Sequence, residues 1–269
     1  EVFLITGNEE QDRAIICAVP YLRDKDVRIM TPGENIEDKN KKIMEGVKSH
    51  YLDVVKKAEE KRERILSGEK SNRRIPIIGM GHLFVADNGS SEGEGVRQIY
   101  KGFLSSVASR IFSDSLDYLA LGHLHVPQIV GGASNIRYSG SPIPMGFGEA
   151  NQEKIVIIVE FTLTGTDIKE IKIPRFKQLE RIAGDIDKIK ERLNELMKDN
   201  SRAWVEIEYT GENEHSGLNE ELHEFIKDSG LEILRIKNRK VFEGVLEKYS
   251  SAEELEDLDP NSVFERLLD

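Results

Sequence analysis

Two apolar strands that each run directly into a Gly-His pair constrain this chain more than any other feature. Ile75-Pro76-Ile77-Ile78-Gly79-Met80 leads into Gly81-His82, and Tyr118-Leu119-Ala120-Leu121 leads into Gly122-His123-Leu124-His125. Short continuous apolar runs bounded by glycine read as buried strands. Between them, Val96 to Phe112 carries helical periodicity through Ile99, Phe103, Val107 and Ile111. Buried strands alternating with amphipathic helices define a layered α/β or α+β chain. In such folds, functional side chains collect at strand ends, where loops from neighbouring strands converge.

The residues at those ends carry metal chemistry. Side chains of extended backbone alternate faces, so His123 and His125 point the same way and Leu124 points back to the core. Two imidazoles on one side of a strand end form a clip for a divalent cation. Gly122 lets the backbone turn and approach a ligand closely. A lone His-x-His is common, and an ordinary core or surface pair is the plain alternative. His82, after its own glycine and buried strand, adds a second turn of the same kind. Of the other histidines, His50 and His223 fall on predicted helices and His215 in a polar loop, which makes all three structural or solvent-facing. No thiolate is close in sequence. Imidazole with oxygen ligands suits Mn²⁺, Fe²⁺ or Zn²⁺. A two-metal centre also needs carboxylates. Asp117 sits at the far end of its strand and Asp87 in a glycine-rich loop, so the residues alone spell an incomplete metal site.

Composition narrows the class. Hydrophobic residues make up 38% and charged residues 32%, the balance of a globular protein with a polar surface. No apolar run reaches the roughly 18–20 residues that cross a bilayer, and no signal peptide is visible. Cys17 is the sole cysteine, which fits a reducing cytoplasm. The net charge of −11 is awkward for a protein that grips nucleic acid by itself. The chain opens on Glu1-Val2-Phe3-Leu4-Ile5, which reads as strand interior, and we expect it to be a piece of a longer protein.

Along the chain, Val2–Ile5 and Ala14–Val19 flank a polar turn and predict a β-hairpin. Glu34 to Leu66 predicts a helix, with Ile43, Met44, Val47, Tyr51, Val54, Val55 and Ala58 on one face. Short strands are expected at 128–130 and 136–139, and a hairpin at Ile155–Phe161 and Ile168–Ile173 around Thr164-Gly165-Thr166-Asp167. Character changes at Pro174. Strand Lys177–Ile182, helix Ile186–Met197, strand Ala203–Tyr209, helix Leu218–Lys227 and strand Glu232–Ile236 predict a small separate domain. The acidic tail from Ser250 reads as helical in two pieces.

The ordered blocks Gly79-Met80-Gly81-His82, Val96-Arg97-Gln98-Ile99-Tyr100, Leu116 through His125, and Arg137-Tyr138-Ser139-Gly140-Ser141-Pro142-Ile143-Pro144 resemble SbcD-type exonuclease subunits. These belong to the calcineurin-like metallophosphoesterase superfamily. The resemblance implies part of a four-layer α-β-β-α sandwich at 1–173, a small α+β capping domain at 174–247, and an acidic helical tail at 248–269. It further implies a dinuclear Mn²⁺ site in which His82 and His123 bind one ion and His125 the other. The family's earlier motifs, Asp-x-His, Gly-Asp and Gly-Asn-His-Asp, are not in this sequence. Gly7-Asn8 is followed by Glu9-Glu10, which departs from the last of them. No general acid or nucleophile is therefore assigned here.

By the same resemblance, the parent would be a Mn-dependent DNA nuclease in repair and recombination. It would act as an ATP-dependent duplex exonuclease and single-strand endonuclease with an SbcC-type ATPase, the nuclease subunit itself pairing as a homodimer. Arg235, Lys237, Arg239 and Lys240 form a basic cluster that would contact DNA, with an ordinary charged strand edge as the alternative. Leu255, Leu258, Val263, Phe264, Leu267 and Leu268 in the tail would dock on a partner or on the cap. Two rival readings stay open: a phosphoesterase for small phosphodiesters, and a non-catalytic scaffold for DNA or the ATPase.

Overall fold

Ile15, Ile77, Leu119 and Tyr138 are all completely buried, and each comes from a different one of four adjacent strands. These side chains centre the core of the first of two compact units, Glu1–Arg175; the second is Phe176–Asp269. The computed structural model describes residues 1–7, 13–29, 32–68, 74–85, 112–211 and 217–238.

In the first unit, β1 (Val2–Thr6) and β2 (Arg13–Ala18) form the predicted antiparallel hairpin. Three parallel pairings extend it: β2 to β3 (Ile77–His82), β3 to β4 (Tyr118–Gly122), and β4 to β6 (Ala133–Tyr138). β5 (Gln128–Val130) closes the far edge antiparallel to β6. The resulting sheet has the order β1-β2-β3-β4-β6-β5. After a four-residue helix, α1 (Asp24–Val27), comes the long helix α2 (Ile36–Gly68). Its residues Ile43, Val47, Tyr51, Val54, Val55 and Ala58 are all buried in the same core as the strands. Their spacing of three and four residues is one helix face, so the predicted periodicity is the packed stripe. The hairpin of β7 (Ile155–Phe161) and β8 (Thr166–Lys172) follows. Its turn is closed by the Gly165 amide donating to Thr162 Oγ1 at 3.1 Å.

Asp117, which precedes β4, has a structural role. Its carboxylate accepts from the Ile77 amide at 2.7 Å and from the Arg74 guanidinium, tying β4 to the start of β3. It lies at the end of the strands opposite the histidines. Asp87 and the predicted helix at 96–111 lie outside the described residues.

Among the described residues, the second unit is a parallel three-stranded sheet with two helices. The chain order is β9 (Leu179–Gly184), α3 (Ile186–Lys198), β10 (Trp204–Tyr209), α4 (Leu218–Phe225) and β11 (Glu232–Asn238). β10 lies between β9 and β11. Ile189, Leu193, Val205, Ile207 and Leu222 form its core, separate from that of the first unit. β9 runs two residues beyond the Lys177–Ile182 expected from sequence. It ends where Asp185 becomes the N-cap of α3, accepting from the Lys188 amide at 3.0 Å. Together the units make a mixed α+β chain with three sheets among the described residues. No described helix is long and apolar enough to cross a membrane.

Candidate metal centre

The β3–β4 ladder builds the centre. In its parallel register Ile78 pairs with Tyr118, and each later residue follows in step until His82 lies across from Gly122. His123 is the next residue along, so the two Gly-His turns meet at one end of neighbouring strands. His82 Nε2 and His123 Nδ1 stand 3.4 Å apart, with their rings edge-on at 88°. That gap is long for a hydrogen bond between ring nitrogens. Two imidazoles on one first-row cation, each bonded at about 2.1 Å, place their nitrogens roughly 3.0–3.4 Å apart. The pair therefore fits a shared divalent ion.

Local sequence explains why the turns take this form. A Cβ on Gly122 would lie 3.1 Å from His82 Nδ1, so a side chain there would press on the imidazole. A Cβ on Gly81 would lie 1.9 Å from the Tyr51 hydroxyl of α2, a clash no small shift relieves. His123 itself has φ +119°, a conformation costly for any residue with a Cβ. Such strain persists where the surroundings impose it. Beyond His82, the buried Tyr138 hydroxyl of β6 donates to Leu83 O at 2.5 Å and accepts from the Val85 amide at 2.8 Å. The segment leaving His82 is thus pinned to the end of β6, across β4. Tyr21 and Phe84 stand edge-on to His82 and His123 at 6.0 and 5.9 Å.

Burial, reinforced by the neighbouring His82 and His125, lowers the His123 pKa below its ordinary value of 6.5. At neutral pH its ring is therefore uncharged, the form that can donate a lone pair to a cation.

His125 is held differently. Its Nδ1 lies 2.7 Å from Oε1 of Glu149, which sits on a short 3-10 turn, Phe147–Glu149. Oε2 of Glu149 accepts from Lys154 Nζ at 2.6 Å and from the Met145 amide at 3.1 Å. Burial pushes the Glu149 carboxyl up. Hydrogen bonds from Lys154, His125 and Met145 outweigh it and leave the carboxyl below the usual range. Sequence reasoning missed Glu149 and Lys154. Both lie in a turn-rich polar stretch where nothing in the hydropathy pattern marks a buried charge. Both precede the apolar strand that starts at Ile155, and no local signal in the sequence sets them apart from the charged residues around them.

The structure brings His82 and His123 together, while the His125 ring is held by Glu149. Among the described residues, His, Cys, Asp and Glu side chains do not converge in a group of three or more able to hold a metal ion. The chain thus supplies imidazoles and no direct carboxylate ligand within its described part. His50 lies on α2 and His223 on α4, as expected; His215 is outside the described residues.

In the second unit, Lys237 Nζ and Arg235 Nη1 lie 3.1 and 3.5 Å from the two oxygens of Glu206, a buried carboxylate on β10. Arg181 reaches the same carboxylate at 3.5 Å. The basic cluster is therefore partly neutralised by Glu206, while the heads of Arg235 and Lys237 stay exposed. Arg239, Lys240 and the apolar tail positions lie outside the described residues.

A histidine site at the strand ends of one unit, followed in the chain by a separate α/β unit, defines a two-unit protein with a candidate divalent-metal centre. Comparisons with known proteins narrow that class. Residues 175–269 match the SbcD_C family, described as the type 5 capsule protein repressor C-terminal domain. The chain is 30% identical to the SbcD component of the nuclease SbcCD from Escherichia coli K12 over 264 residues, 95% of this chain and 62% of that protein. It is 30% identical over 165 residues to the corresponding Rhodobacter capsulatus protein, 61% of this chain and 37% of that one. For the Bacillus subtilis counterpart the figure is 39% over 84 residues, 31% and 21% respectively. The chain is thus similar to SbcD proteins along almost its whole length, and its second unit matches the family model. It spans just under two thirds of the length of its Escherichia coli relative.

Proposed function

We propose that this chain is part of a Mn²⁺-dependent DNA nuclease that works with an SbcC-type ATPase in DNA repair and recombination. The observation that carries the reading is the β3–β4 register, which sets His82 Nε2 and His123 Nδ1 3.4 Å apart. Support for the nuclease class comes from relatives named as components of the nuclease SbcCD. In this reading the first unit is one part of a four-layer α-β-β-α sandwich, and the second is a cap that helps place DNA.

His82 and His123 would hold one ion and His125 the other. A bound pair of divalent ions supplies Lewis-acid stabilisation of the phosphodiester and a low-pKa water. The protein's own part is narrower. His123, its pKa lowered by burial, presents a lone pair, and the strained turn at His123 sets its backbone in advance of binding. Tyr138 holds the backbone after His82. Arg235, Lys237 and the neighbouring Arg239 and Lys240 would contact the DNA backbone, with Glu206 limiting their net charge.

The motifs that supply the remaining ligands in the family are not in this sequence, so we expect the chain alone to show negligible turnover. The test is Mn²⁺-dependent degradation of linear duplex DNA by the complete SbcD-type protein with its ATPase. His82→Ala and His123→Ala should each abolish cleavage. Full activity in either variant would refute the reading.

A further inference from the structure

Among the described residues, Glu149 and Lys154 are the buried charged residues of the first unit, with side chains each 4% exposed. Burying an ion pair gives little or no net stability compared with apolar side chains of similar size. Its position suggests another role, because the pair grips His125 at two separate points.

The first is the ring. Glu149 Oε1 faces His125 Nδ1 at 2.7 Å. An ionised carboxylate accepts only, so Nδ1 carries the proton and donates it. In the uncharged ring the lone pair is then on Nε2, the ring atom pointing away from Glu149. The second is the main chain. Lys154 Nζ donates to His125 O at 3.0 Å while also holding Glu149 Oε2 at 2.6 Å and Ser141 Oγ at 2.9 Å. One ammonium therefore fixes both the His125 backbone and the carboxylate on its ring. The Ser141 amide adds a second donor to His125 O at 3.2 Å. Gly140, at φ +78°, lets this loop close, since a Cβ there would lie 2.6 Å from that oxygen.

We propose that Glu149 and Lys154 are positioning residues that commit His125 to the Nδ1–H tautomer and present its Nε2 as the donor atom to a divalent cation. The second clause rests on the metal reading above; the first does not. Carboxylates that hold the far nitrogen of a ligating histidine typically change metal affinity about 10–100-fold.

The experiment uses the full chain, isotopically labelled, without metal and then titrated with Mn²⁺ by calorimetry. Glu149→Ala would strand Lys154 without its counter-charge, so the informative variant is Glu149→Leu paired with Lys154→Met, which removes both charges and keeps the site filled. Imidazole ¹⁵N shifts in the wild type should show His125 protonated at Nδ1 and bare at Nε2. In the double variant this preference should be lost while the fold, judged by amide spectra, is kept. Mn²⁺ affinity should fall at least tenfold. A merely structural pair would leave tautomer and affinity unchanged in a folded double variant, and that result overturns the proposal. So does a wild-type His125 protonated at Nε2. If the tautomer follows Glu149 but His125→Ala leaves Mn²⁺ binding intact, the metal reading fails and the positioning of the ring stands.

Discussion

His82 lies directly across the β3–β4 ladder from Gly122, and the missing side chain of that glycine leaves room for the imidazole to reach His123. The site is thus written into a strand register: one residue of slip would carry His82 to the other face of the sheet.

Gly122→Ala tests that dependence. The new methyl would meet His82 Nδ1 at 3.1 Å and push the ring off its partner. We expect the fold to survive with a loss of about 1–3 kcal/mol, the usual cost of overpacking. Divalent-cation binding should weaken far more than stability. Denaturant melts beside metal titrations of the same variant check both.

Tyr51 offers a test from the helix side. Its hydroxyl is buried and has no hydrogen-bond partner among the described residues, and burial raises its pKa well above the ordinary phenol value. Tyr51→Phe removes an unsatisfied polar atom, so it should be neutral or stabilising by up to about 1 kcal/mol. It should also partly rescue Gly81→Ala, whose Cβ meets that hydroxyl. A double-mutant cycle measured by urea unfolding reads the coupling.

Asp185 gives a pH signature in the second unit. Its hydrogen bond from the Lys188 amide lowers its pKa below the usual 3.8. A depressed folded pKa contributes stability above the unfolded value and loses it as pH falls through the folded one. Asp185→Asn should therefore remove that contribution at neutral pH and flatten the acid limb of the unfolding curve, the variant and wild type converging once pH falls below the folded pKa.

The basic strand edge can be tested through salt. Arg235→Gln and Lys237→Gln should each weaken DNA binding across sequences and reduce the salt slope by about 1. An unchanged slope would make both residues partners of Glu206 alone.

Much of this was legible in the sequence because its signals are local. The six apolar positions of α2 recur at helical spacing, and the strands leading to His82 and His123 are short apolar runs ending in glycine. The two Gly-His turns gave the meeting place of His82 and His123, but the expected alternation through His125 does not hold, because β4 ends at Gly122 and His123 turns at φ +119°. The Glu149–Lys154 pair was not legible, because burial of a charge depends on loops from three segments closing around it. Glu206 was hidden for the same reason: its neighbours Arg181, Arg235 and Lys237 come from two other strands. Asp117 illustrates the opposite case, since strand polarity alone put it at the wrong end for a ligand.

The shared cation can be observed most directly in the ¹⁵N imidazole spectrum of the chain titrated with Zn²⁺, a diamagnetic stand-in with higher affinity than Mn²⁺ for nitrogen ligands. His82 Nε2 and His123 Nδ1 should shift together at one concentration, and His82→Ala should abolish the His123 shift. A His123 shift that persists without His82, or two nitrogens that respond at separate concentrations, would contradict the account.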